Sequence, residues 1–438
     1  MRGVSNQTIL VGTLTYKNLK TSIMILLTIL FVLNFLGADD LETRLDKYNP
    51  KNEIESINQE INFWENKLSI HPNQLTYHAP LAQAYQRRFD QTASIKDLRK
   101  AEMLLATAIS KTPDNQKSSL IRSLSQNLIK QHKFCEALDY MLVADLLEDN
   151  ERANDLILFD IYQEIGLVET AGRILDKIGH QKDFNYFIRR AKMEDSRGDL
   201  TTAIQLMERA HRAVENSENK ILEEWVLTNL GDFYGHANKI DHSTHCFSRA
   251  LELNPNNWYA LKGLAWIAYA HEKNIEQADK IIKHLSSVNK SPSLMLFQAE
   301  LENYRGHTAS ANKIKSMFAE EVQKPDYGAM YNKYLIELFT TKEHQNLNKA
   351  LKLAEYEIGQ RPTPESYSLL AYVLYQSGKR TKAQKISQQE VLNKTSEPDA
   401  LMHLLEIFQD NKELKKSLQW ELSSSTFEIG PLRANKLL

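Results

Sequence analysis

Two histidines and a cysteine lie close together in one stretch of the sequence, and side chains of these types bind transition metals. His242 and His245 are three residues apart and His242 and Cys246 are four apart, so a helix would place them on one face. Imidazole and thiolate groups in this arrangement could hold zinc or copper. Ser243 and Phe247 suit the packing face of the same helix, which would leave the three candidates as ordinary exposed residues. We therefore predict no metal site and keep metal binding through these residues as an alternative function.

The sequence contains no motif of the common catalytic classes. We find no nucleophile elbow, phosphate-binding glycine loop, dinucleotide fingerprint or zincin helix. Gly378 is followed by Lys379 and Arg380 but lacks the glycine spacing of a phosphate loop, and His271-Glu272 has no second histidine at the zincin spacing. The sequence therefore predicts a protein that is not an enzyme and that binds no cofactor.

The composition is that of a globular, helix-rich protein. The 438 residues are 25% charged and 42% hydrophobic. Only 15 glycines and 11 prolines are present, and so few breakers favour helices over a turn-rich β fold. Two cysteines are too few for a disulfide scaffold or a multi-cysteine metal site. The formal net charge of −2 gives no bulk attraction to nucleic acid, so we predict no nucleic-acid partner.

An uncharged apolar segment, residues 22–38, follows Lys17 and Lys20 near the start of the sequence. Basic residues before such a segment stay on the cytoplasmic side, so the rest of the chain is expected outside the cytoplasm. Two interpretations stay open. Residues 1–38 are either a signal peptide cleaved after Ala38 or a signal anchor of near-minimal spanning length. The body is then extracytoplasmic, either anchored in the membrane by this segment or periplasmic or secreted after cleavage.

Helical periodicity continues along the body, and its clearest unit, residues 224–257, holds two helices and a turn in 34 residues. The first helix presents Leu227, Leu230, Gly231 and Tyr234 on one face, the second presents Ser243, Phe247 and Ala250, and Pro255 follows. Gly231 and Ser243 allow a close approach of the helices, and Tyr234 and Phe247 fill the remaining gap. These spacings resemble the tetratricopeptide repeat family. The resemblance implies an all-α, right-handed solenoid of antiparallel helix pairs.

The same spacing recurs in about nine units over residues 77–397. We expect residues 39–76 to form an N-terminal capping helix region and residues 398–422 to form closing helices, because a terminal repeat cannot bury its own apolar face. Residues 423–438 form a tail that packs on the last helix or binds something else. Cys135 and Cys246 lie three repeats apart and should be unpaired, because each repeat of a solenoid is expected to contact only its neighbours.

The resemblance also implies where a partner binds, because the first helix of each pair lines the concave surface in this family. Positions counted from the small residue of each helix give a partner-binding groove of Gln83, Arg87, Arg122, Gln126, Lys130, Trp266, Tyr269, Tyr372 and Tyr375. In the first half of the groove, Arg122, Gln126 and Lys130 are spaced by four residues. They would form a basic stripe that binds an acidic peptide. The aromatic residues would anchor an extended peptide or a helix. The competing interpretation is a solvated basic face and aromatic residues that pack against the next repeat.

The sequence thus predicts a non-catalytic scaffold for protein–protein interaction, exported or membrane-anchored, that binds a protein or peptide partner in its concave groove. Membrane contact would come through residues 22–38 if they are not cleaved. Two alternatives are a metal-binding protein and an accessory of an envelope enzyme that binds carbohydrate or peptide through Trp266 and the tyrosines.

Overall fold

The computed structural model of the chain describes residues 43–147, 150–435 and 437, and these contain helices and no β-strand. Pro50–Leu438 form one compact unit, and the described residues before Pro50 belong to a separate one, in which residues 43–47 are helical (α1). The candidate membrane segment, residues 22–38, lies outside the described residues. Within them, no helix combines the length and the apolar character that crossing a membrane requires.

Helix α2, Lys51–Ile70, precedes ten antiparallel helix pairs in the described part of the chain. The first helices of the pairs are α3 His78–Thr92, α5 Ser118–Lys130, α7 Glu151–Glu164, α9 Phe184–Ser196, α11 Lys220–His236, α13 Trp258–Ala270, α15 Pro292–Tyr304, α17 Asn332–Thr340, α19 Pro364–Gln376 and α21 Pro398–Ile407. The second helices are α4 Ile95–Lys111, α6 Phe134–Leu146, α8 Val168–Ile178, α10 Leu200–Val214, α12 Ile240–Leu253, α14 Ile275–Val288, α16 Thr308–Val322, α18 Leu347–Gln360, α20 Arg380–Ile386 and α22 Lys412–Leu422. The short helices α23 Thr426–Ile429 and α24 Pro431–Ala434 follow in the tail. The predicted all-α, right-handed solenoid of tetratricopeptide-like pairs is confirmed.

In eight of the ten described pairs, a short turn joins the two helices and reverses the chain at a residue with positive φ. At Gly198 and Gly378 φ is 82° and 77°, a conformation that glycine adopts without a Cβ penalty. The Asp199 N–H then donates back to the Glu194 carbonyl oxygen at 2.9 Å, which satisfies a helix-end carbonyl and ends α9. The Asp199 side chain also accepts the N–H of Thr202 and caps α10. One turn therefore ends one helix and starts the next.

Helices pack closely around Phe247, a buried ring on α12. Ser243 Oγ donates a hydrogen bond to the Gly231 carbonyl oxygen at 2.6 Å, so α11 and α12 approach closely as the spacing predicts. A Cβ atom at Gly231 would lie 2.6 Å from the Phe247 ring, and one at Gly263 on α13 would lie 2.5 Å from it. The ring is therefore held between glycines of two successive first helices. The repeat spacing does not identify the second of them, Gly263.

Both ends of the array are covered by helices. Ile57 and Ile61 of α2 are buried in the core of the first pairs, with Trp64 packed beside them. Leu418 and Leu422 of α22 are buried in the core of the last pairs. The terminal apolar faces are thus removed from water, as a stable repeat array requires.

Contacts between residues about 198 positions apart join successive turns of the solenoid. The Asn289 side-chain amide donates to the Gln91 carbonyl oxygen at 3.1 Å, across 198 residues. Arg361 donates from Nε to the Glu164 carbonyl oxygen and from Nη2 to Glu164 Oε2, each at 2.9 Å and across 197 residues. This offset corresponds to about six repeats of 34 residues. The solenoid therefore completes a turn in about six pairs and then stacks on itself.

The same offset recurs between Gly198 and Ser396, where a Cβ atom on the glycine would lie 3.4 Å from the serine Cβ. Gly166 approaches Thr363 in the same way, with the threonine Cγ2 3.2 Å from the position of a glycine Cβ. The expectation that each repeat contacts only its neighbours is therefore wrong for this chain. The reason is the tight winding, which brings the turns between helices against the loops of the next superhelical turn.

Replacing Gly263 by alanine should destabilise the protein, because the added methyl group must displace the buried Phe247 ring. We expect a loss of about 1–3 kcal/mol in the free energy of unfolding, the usual cost of overpacking a core. Thermal and urea unfolding monitored by circular dichroism measure it.

Gly359→Ala is the matched control, because no atom lies within 4 Å of its Cβ position. This change should leave stability unchanged or raise it by up to about 1 kcal/mol through helix propensity. Equal stability of the two alanine variants would contradict the packing of Phe247 between two glycines.

Candidate functional site

The first helices of the pairs form a surface that we call the inner face, and the predicted groove residues lie on these helices. Gln83 and Arg87 lie on α3 and are both exposed. Arg87 forms an ion pair with Glu60 of α2. At this end of the array the inner face is thus accessible, and a partner role for the two residues stays a prediction.

The structure places the predicted basic stripe at contacts between neighbouring pairs. Arg122 Nη1 donates to Asn154 Oδ1 at 3.1 Å, and Lys130 Nζ forms an ion pair with Asp90 Oδ1 at 2.5 Å. Gln126, which lies between them on α5, is exposed. The two cations therefore connect one helix pair to the next, and binding of an acidic peptide by this stripe stays a prediction.

Tyr372 and Tyr375 lie on α19 and contact the loop and helix of the closing pair. The Tyr372 ring stacks on the buried His403 ring with centroids 4.2 Å apart, and its hydroxyl donates to Glu406 Oε2 at 3.1 Å. The Tyr375 hydroxyl accepts a hydrogen bond from Gln409. Burial raises the pKa of Tyr372, with Glu406 adding to it, and burial lowers the pKa of His403 to about 3. The stacked rings are therefore neutral at neutral pH.

Trp266 and Tyr269 lie together on α13, beneath the C-terminal tail. Their rings meet edge to face with centroids 5.4 Å apart. Trp266 Nε1 donates to the Phe427 carbonyl oxygen at 3.1 Å, and a Cβ atom at Gly430 would lie 3.1 Å from the Trp266 ring. Tyr269 is fully buried, and its hydroxyl donates to Glu300 Oε1 at 2.7 Å. Trp266 thus binds a peptide segment, and that segment belongs to the chain itself.

The tail reaches across several helix pairs. Ile429 is buried in the core of the last pairs. Phe427 lies farther along the inner face, where its ring is 2.9 Å from the position that a Cβ atom at Gly235 of α11 would take. The tail therefore connects the closing pair to α11 and α13 instead of covering the last helix alone.

Arg433 of the tail enters an ion-pair cluster with Lys333 of α17 and Asp399 of α21. Asp399 Oδ1 lies 2.5 Å from Arg433 Nη1, and Asp399 Oδ2 lies 2.5 Å from Lys333 Nζ. Burial raises the pKa of Asp399, but the two cations outweigh it and hold that pKa below its usual range. The carboxylate of Asp399 is thus charged and shared between a helix and the tail.

Glu337 lies one turn after Lys333 on α17, and its buried Oε1 accepts no hydrogen bond from the part of the chain that the structure describes. Burial raises the pKa of Glu337 to about 7, and Asp399 adds to this effect despite the two cations, Lys333 and Arg433. Both cations of the cluster therefore pair with Asp399, and Glu337 Oε1 is left without a hydrogen-bond donor among the described residues.

Further carboxylates make this part of the inner face acidic. Burial raises the pKa of Glu397 to about 7, and the neighbouring Glu428 adds to the shift. Burial likewise raises the pKa of Glu428 and of Asp195 at the end of α9. Carboxylates from distant pairs thus lie close enough to influence one another. A surface with this excess of carboxylates favours a cationic group and disfavours an anionic one.

The metal candidates do not form a common site. Cys246 is buried, contrary to the expected exposed position, and burial together with Glu208 raises the pKa of its thiol to about 12. A thiol of this kind disfavours the thiolate that binds metal. The His242 ring lies against Tyr234 with centroids 5.1 Å apart, and His245 is exposed. Among the described residues, no group of three His, Cys, Asp or Glu side chains could hold a metal ion.

Sequence reasoning did not identify Lys333, Glu337 or Asp399. The groove positions are counted from a small residue in the first helix, and the α17 sequence NKYLIELFT offers no such residue. Asp399 lies in the closing pair, outside the repeat array expected over residues 77–397. The available signal was the four-residue spacing of Lys333 and Glu337, which places them on one helix face.

Residues 226–257 match the tetratricopeptide repeat family, and they fall in the unit that the spacing identifies most clearly. The human IFIT1 dimer with PPP-AAAA is 14% identical with a TM-score of 0.46, over 75% of this chain and 76% of that chain. Yeast Tom70 is 14% identical with a TM-score of 0.34, over 88% and 91%. A tetratricopeptide repeat protein from Parabacteroides merdae is 17% identical with a TM-score of 0.38, over 56% and 95%. No curated protein matches the chain.

Replacing Glu337 by glutamine should stabilise the protein at pH 8, because the folded state then no longer holds a poorly hydrated carboxylate. The folded pKa, about 7, lies above the ordinary value of 4.5, so the wild type loses stability as the pH rises between these values. We expect the variant to gain on the order of 1 kcal/mol at pH 8 and the difference to vanish below about pH 4.5. Urea unfolding across this pH range measures it.

Glu413→Gln, at an exposed position of α22, is the matched control and should change stability little at any pH. A Glu337→Gln variant that is less stable than the wild type at pH 8, or a difference that does not vary with pH, would contradict the raised pKa.

Proposed function

We propose that the chain is a non-catalytic scaffold whose inner face binds a protein or peptide partner. The observation that carries the proposal is that this face already holds a peptide segment, the tail after Leu422. The Trp266 indole and the Asp399 carboxylate bind this segment from two different first helices. Aromatic anchors and satisfied charge pairs on rigid elements are a usual basis of peptide recognition. The repeat match at residues 226–257 supports the same assignment.

The partner that fits this face carries basic side chains. Glu337 Oε1 accepts no hydrogen bond from the described residues. Glu397 and Glu428 add negative charge near Lys333, and Asp195 acts on both of them. Phosphate groups would be repelled there, because nucleic acid binding depends on neutralisation of phosphates by cations. We therefore propose a protein partner and no nucleic acid.

We also propose that this scaffold works outside the cytoplasm. The support is the uncharged segment of residues 22–38 behind Lys17 and Lys20. A retained segment would hold the scaffold at the membrane surface, and cleavage after Ala38 would release it.

Carbohydrate binding through the aromatic residues has less support. Stacking on a sugar needs a ring that is open to solvent, whereas Trp266 lies beneath the tail and Tyr269 is fully buried. The Tyr372 ring is already stacked on His403.

Replacing Trp266 by alanine should release the partner, because the change removes the aromatic anchor of the inner face. The tagged full chain is expressed in its native host, crosslinked in membranes and purified, and the retained proteins are quantified by mass spectrometry. We expect the variant to recover at least about tenfold less of the partner, as for loss of a binding hot spot.

Trp420→Ala is the matched control, because it removes the same side chain from a position of α22 that is 79% exposed. Circular dichroism checks that both variants keep their helices. Equal recovery of the same proteins with wild type and both variants would exclude the Trp266 region as the partner surface. Recovery of no protein with the wild type would contradict the scaffold function itself.

A further inference from the structure

The tail is held by its contacts and not by its own secondary structure. Its helices α23 and α24 have four residues each, far below the length at which an isolated helix is stable. Gly430, with φ of 77°, separates them and lies against the Trp266 ring. The tail conformation is therefore imposed by the surface beneath it.

That surface consists of first helices that are far apart in the sequence. Phe427 meets Gly235 of α11, its carbonyl oxygen accepts from Trp266 of α13 across 161 residues, and Arg433 pairs with Asp399 of α21. An apolar ring at one end and a guanidinium six residues later are thus recognised by separate groups. This is the arrangement of a bound peptide with two anchors.

The tail does not satisfy this surface fully. Its Glu428 lies near the carboxylates of Asp399 and Asp195, and the His236 ring, the basic group that the structure pairs with it, lies 3.9 Å away. Glu337 receives no hydrogen bond from the described residues, although Arg433 lies in the same cluster. A ligand with a neutral or basic side chain in place of Glu428 would fit the same surface better.

We propose that residues 423–435 are a built-in ligand of the inner face, and that the external partner displaces them with a segment of the same chemistry. That segment carries an aromatic side chain and, six residues later, an arginine. The inference rests on the proposed scaffold function and names both the surface that the partner uses and the residues that recognise it.

Arg433→Glu in the full-length chain tests the proposal, because it places a carboxylate against Asp399 and should detach the tail. The probe is a fluorescein-labelled synthetic peptide with the sequence of residues 423–438, and fluorescence anisotropy measures its binding. We expect the variant to bind the peptide at least about tenfold more tightly than the wild type, whose own tail occupies the surface. Amide hydrogen exchange over residues 423–435 should become at least about tenfold faster in the variant.

Three controls accompany this experiment. Arg380→Glu makes the same charge change at an arginine that is 62% exposed, and it should behave like the wild type. Adding Trp266→Ala to Arg433→Glu should abolish peptide binding. A peptide in which the phenylalanine and the arginine are both alanine should not bind to any variant.

Failure to bind the peptide, although hydrogen exchange shows a detached tail, would overturn the proposal. Unchanged exchange in Arg433→Glu and also in a Phe427→Ala variant would overturn it as well, because the tail would then be part of the core. The scaffold function is judged separately by the membrane pull-down. A partner that depends on Trp266 in the pull-down, together with a failed peptide assay, would leave the scaffold standing and remove only the built-in ligand.

Discussion

The offset of about 198 residues between stacked contacts is the constraint on which the rest of the structure depends. Side chains of one superhelical turn bind carbonyl oxygens at the helix ends of the previous turn, as Arg361 does at Glu164 and Asn289 at Gln91. Every pair between two such contacts must contribute its share of the rotation. A single contact, such as that of Arg361 with Glu164, therefore fixes the total rotation of about six helix pairs. Burial raises the pKa of Glu164, but Lys192 and Arg361 outweigh it and hold that pKa below its usual range, so this contact is a charged one.

Because successive superhelical turns stack on each other, the groove is a confined space and not an open one. The chemistry of the inner face follows from that confinement. Carboxylates from separate pairs, such as Asp195 and Glu397, influence one another there, and burial raises the pKa of both. A surface of this kind needs cations, and the tail supplies one with Arg433. The tail and the acidic inner face are therefore two consequences of one winding geometry.

Local sequence patterns predicted the local structure, because helix pairs depend on residues close in sequence. The close approach at Gly231 and the packing of Phe247 followed from spacing alone. The curvature did not, because it is the sum of small rotations that no single repeat specifies. The contacts of Arg361 and the placement of the tail on Trp266 depend on that sum. Asp399 was missed for the same reason, since its partners come from α17 and from the tail.

A disulfide across the stacked turns would show directly that they lie against each other. Cysteines at Gly198 and Ser396 would place their Cβ atoms about 3.4 Å apart, close to the separation of roughly 3.5–4.5 Å in disulfides. Cysteine at the positive φ of Gly198 costs about 1–2 kcal/mol, which a stable domain tolerates. Mild oxidation of the folded double variant should give an internal disulfide, seen on a non-reducing gel and by mass spectrometry. Gly306→Cys with Ser396→Cys should give none, because no atom lies within 4 Å of the Gly306 Cβ position. A folded Gly198→Cys, Ser396→Cys chain that stays reduced would contradict the stacking of the turns.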